Sequence, residues 1–159
     1  MQFANSVSPA ILDALYEEAL CLTEATRAVF ATAQGEREPG VAKSDELSDA
    51  RITLSCEALR TTTRMMHAMA WLLNFRAYFN DELTAFQLRR FGRLPEPQDV
   101  GTAEERAALS ADVNAVIDGS CSFYGRLARL DEAFHRGFEA EPPALENLHT
   151  RIGRAFAAR

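Results

Sequence analysis

Residues Leu54–Leu94 read LSCEALRTTTRMMHAMAWLLNFRAYFNDELTAFQLRRFGRL and contain neither glycine nor proline before Gly92. Good helix formers dominate, so most of the stretch is expected to form one long helix, from Leu47 to about Asn80. About thirty residues of helix span about 45 Å, more than the width of a small domain. Two apolar stripes run along it. The first is Ile52, Cys56, Leu59, Thr63, Met66, Ala70, Leu73 and Ala77, spaced alternately by four and three; the second is Ala58, Met65, Met69, Leu72 and Phe79. A surface helix needs one apolar stripe, so a helix with two is covered from two sides. It is the central helix of a bundle, or it carries a dimer seam, or both.

Upstream, Ser8-Pro9 has the form of a helix start, with Ser as N-cap and Pro at the first helical position. Leu12, Leu15, Ala19, Leu22, Thr26 and Val29 then recur every three or four residues to about Ala33, and Gly35 with Pro39-Gly40 closes that helix. Downstream, Thr84-Ala85-Phe86-Gln87 is a capping-box pattern opening a short helix that Gly92 ends. Pro95 and Pro97 force an extended link. Thr102-Ala103-Glu104-Glu105 is a second capping box, expected to open a helix to about Arg136 with the stripe Leu109, Val113, Val116, Ser120, Phe123, Leu127, Leu130 and Phe134. Gly119 and Gly125 in it each cost about 1 kcal/mol relative to Ala and mark places where helices approach closely.

No segment alternates in the manner of a strand bounded by turns. The fold class is therefore all-α: an antiparallel bundle of three long helices with a short extra helix. Pro142-Pro143 divides the chain into a bundle domain, residues 1–141, and a tail, residues 142–159. The tail is amphipathic, with Leu145, Leu148, Ile152 and Phe156 on one face as its contact residues. At about fifteen residues it is marginal as an isolated helix and is expected to fold against its own bundle or a partner. Three helices cover the second stripe of the central helix poorly. A homodimer is expected through Met65, Met69 and Leu72, with Arg76 and Phe79 continuing the face; the alternative is that the short helix and tail cover it within one subunit.

The chain has 159 residues, 47% hydrophobic and 25% charged, which is ordinary for one globular domain. No window approaches the ~20 apolar residues of a membrane span. The N-terminal Met1–Ser6 lacks the basic and apolar regions of a secretory signal, so a cytoplasmic location is expected, with no membrane partner. Net charge is −6, and residues 1–50 alone, with 3 basic and 9 acidic side chains, account for that much. An acidic chain is repelled by phosphate backbones, so no nucleic-acid partner is expected, and no short helix-turn-helix pair argues otherwise. Cys21, Cys56 and Cys121 are far apart, without CxxC spacing, and are expected as small core-filling side chains of a reducing compartment.

Two Glu-x-x-His pairs, Glu132/His135 and Glu146/His149, have the spacing used in di-iron bundles. Such a site also needs a buried Glu from each of two other helices. Glu57, the one acid of the central helix past its first turn, is expected beside Cys56 rather than deep in the bundle, and no metal or other cofactor is expected. Arg60, Arg64 and Arg76 could fork around a dicarboxylate, as in helical mutases, but Arg60 is also placed to pair with Glu57 three residues earlier. His67 has no acid at helical spacing. Trp71 lies between the stripes as a packing anchor. Neither an activated nucleophile nor a glycine-rich phosphate loop is present, so no catalytic residues are assigned and a non-enzymatic role is expected; a small-ligand or metal-binding helical-bundle enzyme is the alternative.

The run Leu59-Arg60-Thr61-Thr62-Thr63-Arg64-Met65-Met66, followed by Ala70-Trp71-Leu72-Leu73 and Arg76-Ala77, resembles the signature helix of the RcdA family. Those are small bacterial cytoplasmic proteins named as regulators of CtrA degradation. Ser122-Phe123-Tyr124-Gly125-Arg126-Leu127-Ala128-Arg129-Leu130-Asp131 is similar to the family's last long helix, and the resemblance runs from about Leu12 to Phe134. It implies a dimeric helical adaptor of the ClpXP protease in the bacterial cell cycle. Such an adaptor works with a response-regulator-like primer protein (CpdR), delivers protein cargo or a further adaptor (PopA), and contributes no catalytic residue. Phe75, Tyr78 and Phe79 make the end of the helix more aromatic than that pattern, which fits a distant member or paralogue with its own cargo.

Overall fold

The structure, a computed structural model, describes residues 8–35 and 45–139. Its elements are α1 (Pro9–Gly35), α2 (Asp45–Phe79), α3 (Ala85–Phe91), α4 (Ala103–Ala107) and α5 (Ala111–Glu139). The described residues contain no strand, and the fold is an all-α bundle. None of their helices is long and apolar enough to cross a membrane.

Local chemistry sets the boundaries. Ser8 Oγ accepts from the Ile11 amide at the start of α1. Helix α2 ends at Phe79, and two residues beyond it Asp81, with a φ of 60°, lies in the left-handed region while the Glu82 amide returns to the Ala77 carbonyl. Thr84 and Gln87 form both halves of a capping box on α3, and Thr102 and Glu105 do so on α4. The helix expected from Thr102 to Arg136 is in fact two. Ser110 Oγ accepts from the Val113 amide and caps a new start, while the Asn114 amide group donates to the Arg106 and Leu109 carbonyls left open by the break.

Across the bundle, Asp13 meets Arg76 while Phe30 lines one groove with Thr62, and Glu18 meets Arg126 while Leu22 lies beside Gly119, so α1 runs antiparallel to both α2 and α5. The pairs Arg64–Ser120, Trp71–Asp131 and Phe75–Phe134 rise together, so α2 and α5 run parallel. The expected antiparallel arrangement thus holds for α1 with each partner and not for α2 with α5. Residues 80–110 recross the bundle between them, and three polar contacts hold the extended part of that link. Arg93 lies 3.9 Å from Asp131, Tyr124 donates to the Pro95 carbonyl (2.6 Å), and the Gly101 amide donates to Glu57 (2.8 Å). A Cβ on Gly101 would fall 2.9 Å from the carboxylates of both Glu57 and Glu105, which is why the backbone approaches there without a side chain.

The core has two apolar clusters. One centres on Leu12, Ala19, Trp71, Phe75, Phe123 and Leu127; the other on Phe30, Leu54, Val113 and Ile117. Between them lies a polar layer of Thr26, Glu57, Thr61, Arg64 and Ser120, all buried. Arg64 Nη1 donates to Ser120 Oγ (2.7 Å), and Glu57 Oε1 accepts from Arg60 and from the Gly101 amide. Glu57 is therefore deep in the bundle, not at its edge beside Cys56. Among the described residues, Glu57 Oε2, Thr61 Oγ1 and Arg64 Nη2 are buried without a hydrogen-bond partner.

Candidate interaction surface

The buried stripe of α2 is Leu54, Glu57, Thr61, Arg64, Ala68, Trp71 and Phe75, alternating by three and four, with Met65 and Leu72 beside it. On the far side of the same helix, Ile52, Leu59, Met66 and Leu73 recur every seven residues and are 61%, 69%, 65% and 48% exposed. Between them sit the small residues Cys56, Thr63, Ala70 and Ala77, none of them buried. Large residues at one heptad position and small ones at the other form a seam into which a second helix packs closely. This stripe is expected from the sequence to face the bundle; among the described residues it stands exposed instead. Cys56 and Cys21 are exposed and Cys121 half-buried, so the first two are not the core fillers the sequence led us to expect.

The residues expected at a dimer seam are held by their own subunit. Met65 is 3% exposed and Leu72 is fully buried in the larger apolar cluster, against which Met69 and Phe79 also pack. Arg76 reaches Asp13 (3.4 Å) and lies over the Tyr16 ring, and Phe79 packs edge-on against Tyr78. The exposed apolar stripe Ile52–Leu73 lies about a third of a turn around α2 from these residues. The expected tail contacts Leu145, Leu148, Ile152 and Phe156 lie outside the described residues, as do Glu146 and His149.

Beside the exposed stripe, side chains of α1 and α2 line a concave apolar groove of about 500 Å³. Its floor and walls include Thr26 and Phe30 from α1, and Met65, Met66, Met69 and Leu73 from α2. Met66 and Leu73 belong to both features. Methionine side chains are flexible and polarisable, and they recur on surfaces that accept helical partners.

The polar side chains that hinted at chemistry do not converge. Arg60 pairs with Glu57 at 2.5 Å, as its spacing indicated; Arg64 is buried against Ser120; and Arg76 pairs with α1. Glu132 is exposed and 3.9 Å from Arg136, whereas His135 is buried with Nδ1 2.9 Å from the Asp131 carbonyl oxygen. That oxygen only accepts, so Nδ1 carries the proton. Asp131, which the sequence did not single out, also accepts from Trp71 Nε1 (2.8 Å), so Trp71 is a packing anchor with its one donor satisfied. Burial, opposed by the Arg64 charge and aided to a lesser extent by Asp131, pushes the Tyr124 phenol up to about 12. Among the described residues, no group of three or more His, Cys, Asp or Glu side chains is placed to hold a metal ion.

A protein-family model matches residues 3–156, nearly the whole chain, and is described as Protein of unknown function (DUF1465). The chain belongs to the DUF1465 family. No curated protein and no solved structure matches it. The match extends past Glu139 to residue 156.

Proposed function

We propose that this DUF1465 protein is a non-enzymatic, RcdA-like adaptor of targeted proteolysis in the bacterial cytoplasm. It self-associates through the exposed heptad stripe of α2 and tethers protein cargo, or a further adaptor, to a ClpXP protease primed by a response-regulator-like protein. The observation that carries this reading is the uncovered stripe Ile52, Leu59, Met66 and Leu73. A contiguous apolar seam of that length on a single bundle is the signature of a protein-binding face. The resemblance in Leu59–Ala77 supplies the class of partner. Tethering raises the local concentration of cargo at the protease, so weak contacts on such a face suffice for delivery.

Cargo turnover by the purified unfoldase, protease and primer tests it. Addition of the protein is expected to accelerate cargo loss, and Leu59→Glu is expected to change the rate without unfolding the chain. Turnover unchanged by the wild-type protein overturns the adaptor reading.

A further inference from the structure

The groove between α1 and α2 is a different shape from the stripe beside it. The stripe is convex and extends from Ile52 to Ala77, which suits another long helix lying alongside. The groove is concave, bounded by Thr62 and Leu73 on α2 and by Thr23 and Phe30 on α1, and no α5 residue lines it. It therefore takes a short third helix with one apolar face, in the helix-in-groove mode.

The chain itself carries such a segment. Beyond α5, Leu145, Leu148, Ile152 and Phe156 fall at helical spacing on one face, with Arg151, Arg154 and Glu146 elsewhere. Leu145 to Phe156 and Thr62 to Leu73 are the same separation in sequence, each about 16 Å as helix. The point of departure also fits. Phe134, in the last turns of α5, packs against Phe75 and Tyr78, so α5 ends at the Leu73 end of the groove. A five-residue segment such as 140–144 spans at most about 16 Å, more than the ~10 Å width of one helix.

We propose that the C-terminal segment Ala144–Arg159 of the same chain docks in the α1/α2 groove, with Leu148, Ile152 and Phe156 against Met66, Met69 and Phe30. It enters at Leu73 and runs parallel to α1. Docking covers the exposed Met66 and Leu73 surface with an apolar helix face and supplies the packing that a fifteen-residue helix lacks in isolation. Met66 and Leu73 serve both groove and stripe, so a docked tail and a second copy exclude each other there. That consequence rests on the self-association reading; the docking itself does not.

The methionines provide the probe. The chain has four, Met1, Met65, Met66 and Met69, and the last three line the groove. Methyl-¹³C-methionine spectra of the full-length protein are compared with those of full-length Ile152→Asp/Phe156→Asp, with Trp71 emission confirming the fold of both. The expected result is displaced Met66 and Met69 methyl resonances in the variant, by the same amount at every protein concentration, and return toward wild type when a synthetic 142–159 peptide is added. Unmoved Met66 and Met69 resonances overturn the proposal. So does a displacement that appears only as concentration rises, which assigns the groove to a second copy, or one that organic extraction of the wild-type protein reproduces, which assigns it to a small apolar ligand. Cargo turnover is read separately, so failure of the adaptor reading leaves these spectra unchanged.

Discussion

Leu59→Glu separates folding from self-association. Leu59 is 69% exposed, so a glutamate there stays hydrated in the single subunit, and folding stability is expected to change by less than about 0.5 kcal/mol. In a dimer that covers the stripe, each Leu59 loses that exposed fraction. Full burial of a leucine is worth about 2.5 kcal/mol, so covering this one contributes about 1.7 kcal/mol per protomer and about 3.5 kcal/mol per dimer. Its loss weakens association by about 300-fold, before any cost of burying the glutamates. Sedimentation equilibrium reads the association, and urea unfolding followed by Trp71, the single tryptophan, reads the fold. Leu59 does not line the α1/α2 groove, so its effect is independent of the tail. Leu72→Glu, in contrast, places a charge at a fully buried position and is expected to unfold the chain. A Leu59→Glu protein that associates as tightly as wild type refutes the placement of the seam, and one that unfolds refutes the exposure argument.

Asp131→Ala leaves the buried Trp71 indole N–H without its acceptor and is expected to cost about 2–3 kcal/mol, whereas Asp131→Asn retains an acceptor and costs about 1 kcal/mol or less. Urea midpoints of the two variants check this, and equal losses would contradict it. Because the Tyr124 phenol is held up to about 12 against an ordinary value near 10, the unfolded chain gives up that proton first. The stabilisation is complete below about pH 10 and is lost as pH rises toward 12, so wild type should decline more steeply than Tyr124→Phe over that window in urea titrations; parallel decline argues against it. Asp81→Gly removes the cost of a left-handed residue at the end of α2 and is expected to stabilise the fold by about 0.5–1 kcal/mol in thermal melts, a loss of stability being the contrary result.

Much of the fold is legible in local chemistry. Ser8-Pro9, Thr84 with Gln87, and Thr102 with Glu105 start helices where their side chains satisfy the first amides, and Gly92 stops one. The break at Ser110 is not legible in the same way, because Thr102 already supplied a strong cap and Ala103–Ala108 continues in good helix formers. The α2/α5 direction is decided by a link whose path depends on Tyr124, Asp131 and Glu57, each far away in sequence from the residue it holds.

What the sequence determined by itself is that α2 is central and carries more apolar surface than one packing face requires. Which face turns inward was decided by tertiary structure. The outer stripe, with Ile52, Leu59, Met66 and Leu73, is the more hydrophobic by composition, whereas the inner one contains Glu57, Thr61 and Arg64. Periodicity ranks faces by residue type alone and so favours the wrong one. The inner face is buried because Trp71 and Phe75 fill the space between α1 and α5, and because Ser120, Gly101 and Asp131 supply hydrogen bonds to its polar groups from 44 to 60 residues away. Those partners exist only once the helices are assembled, and their presence lowers the cost of burying polar side chains enough for the aromatic packing to prevail.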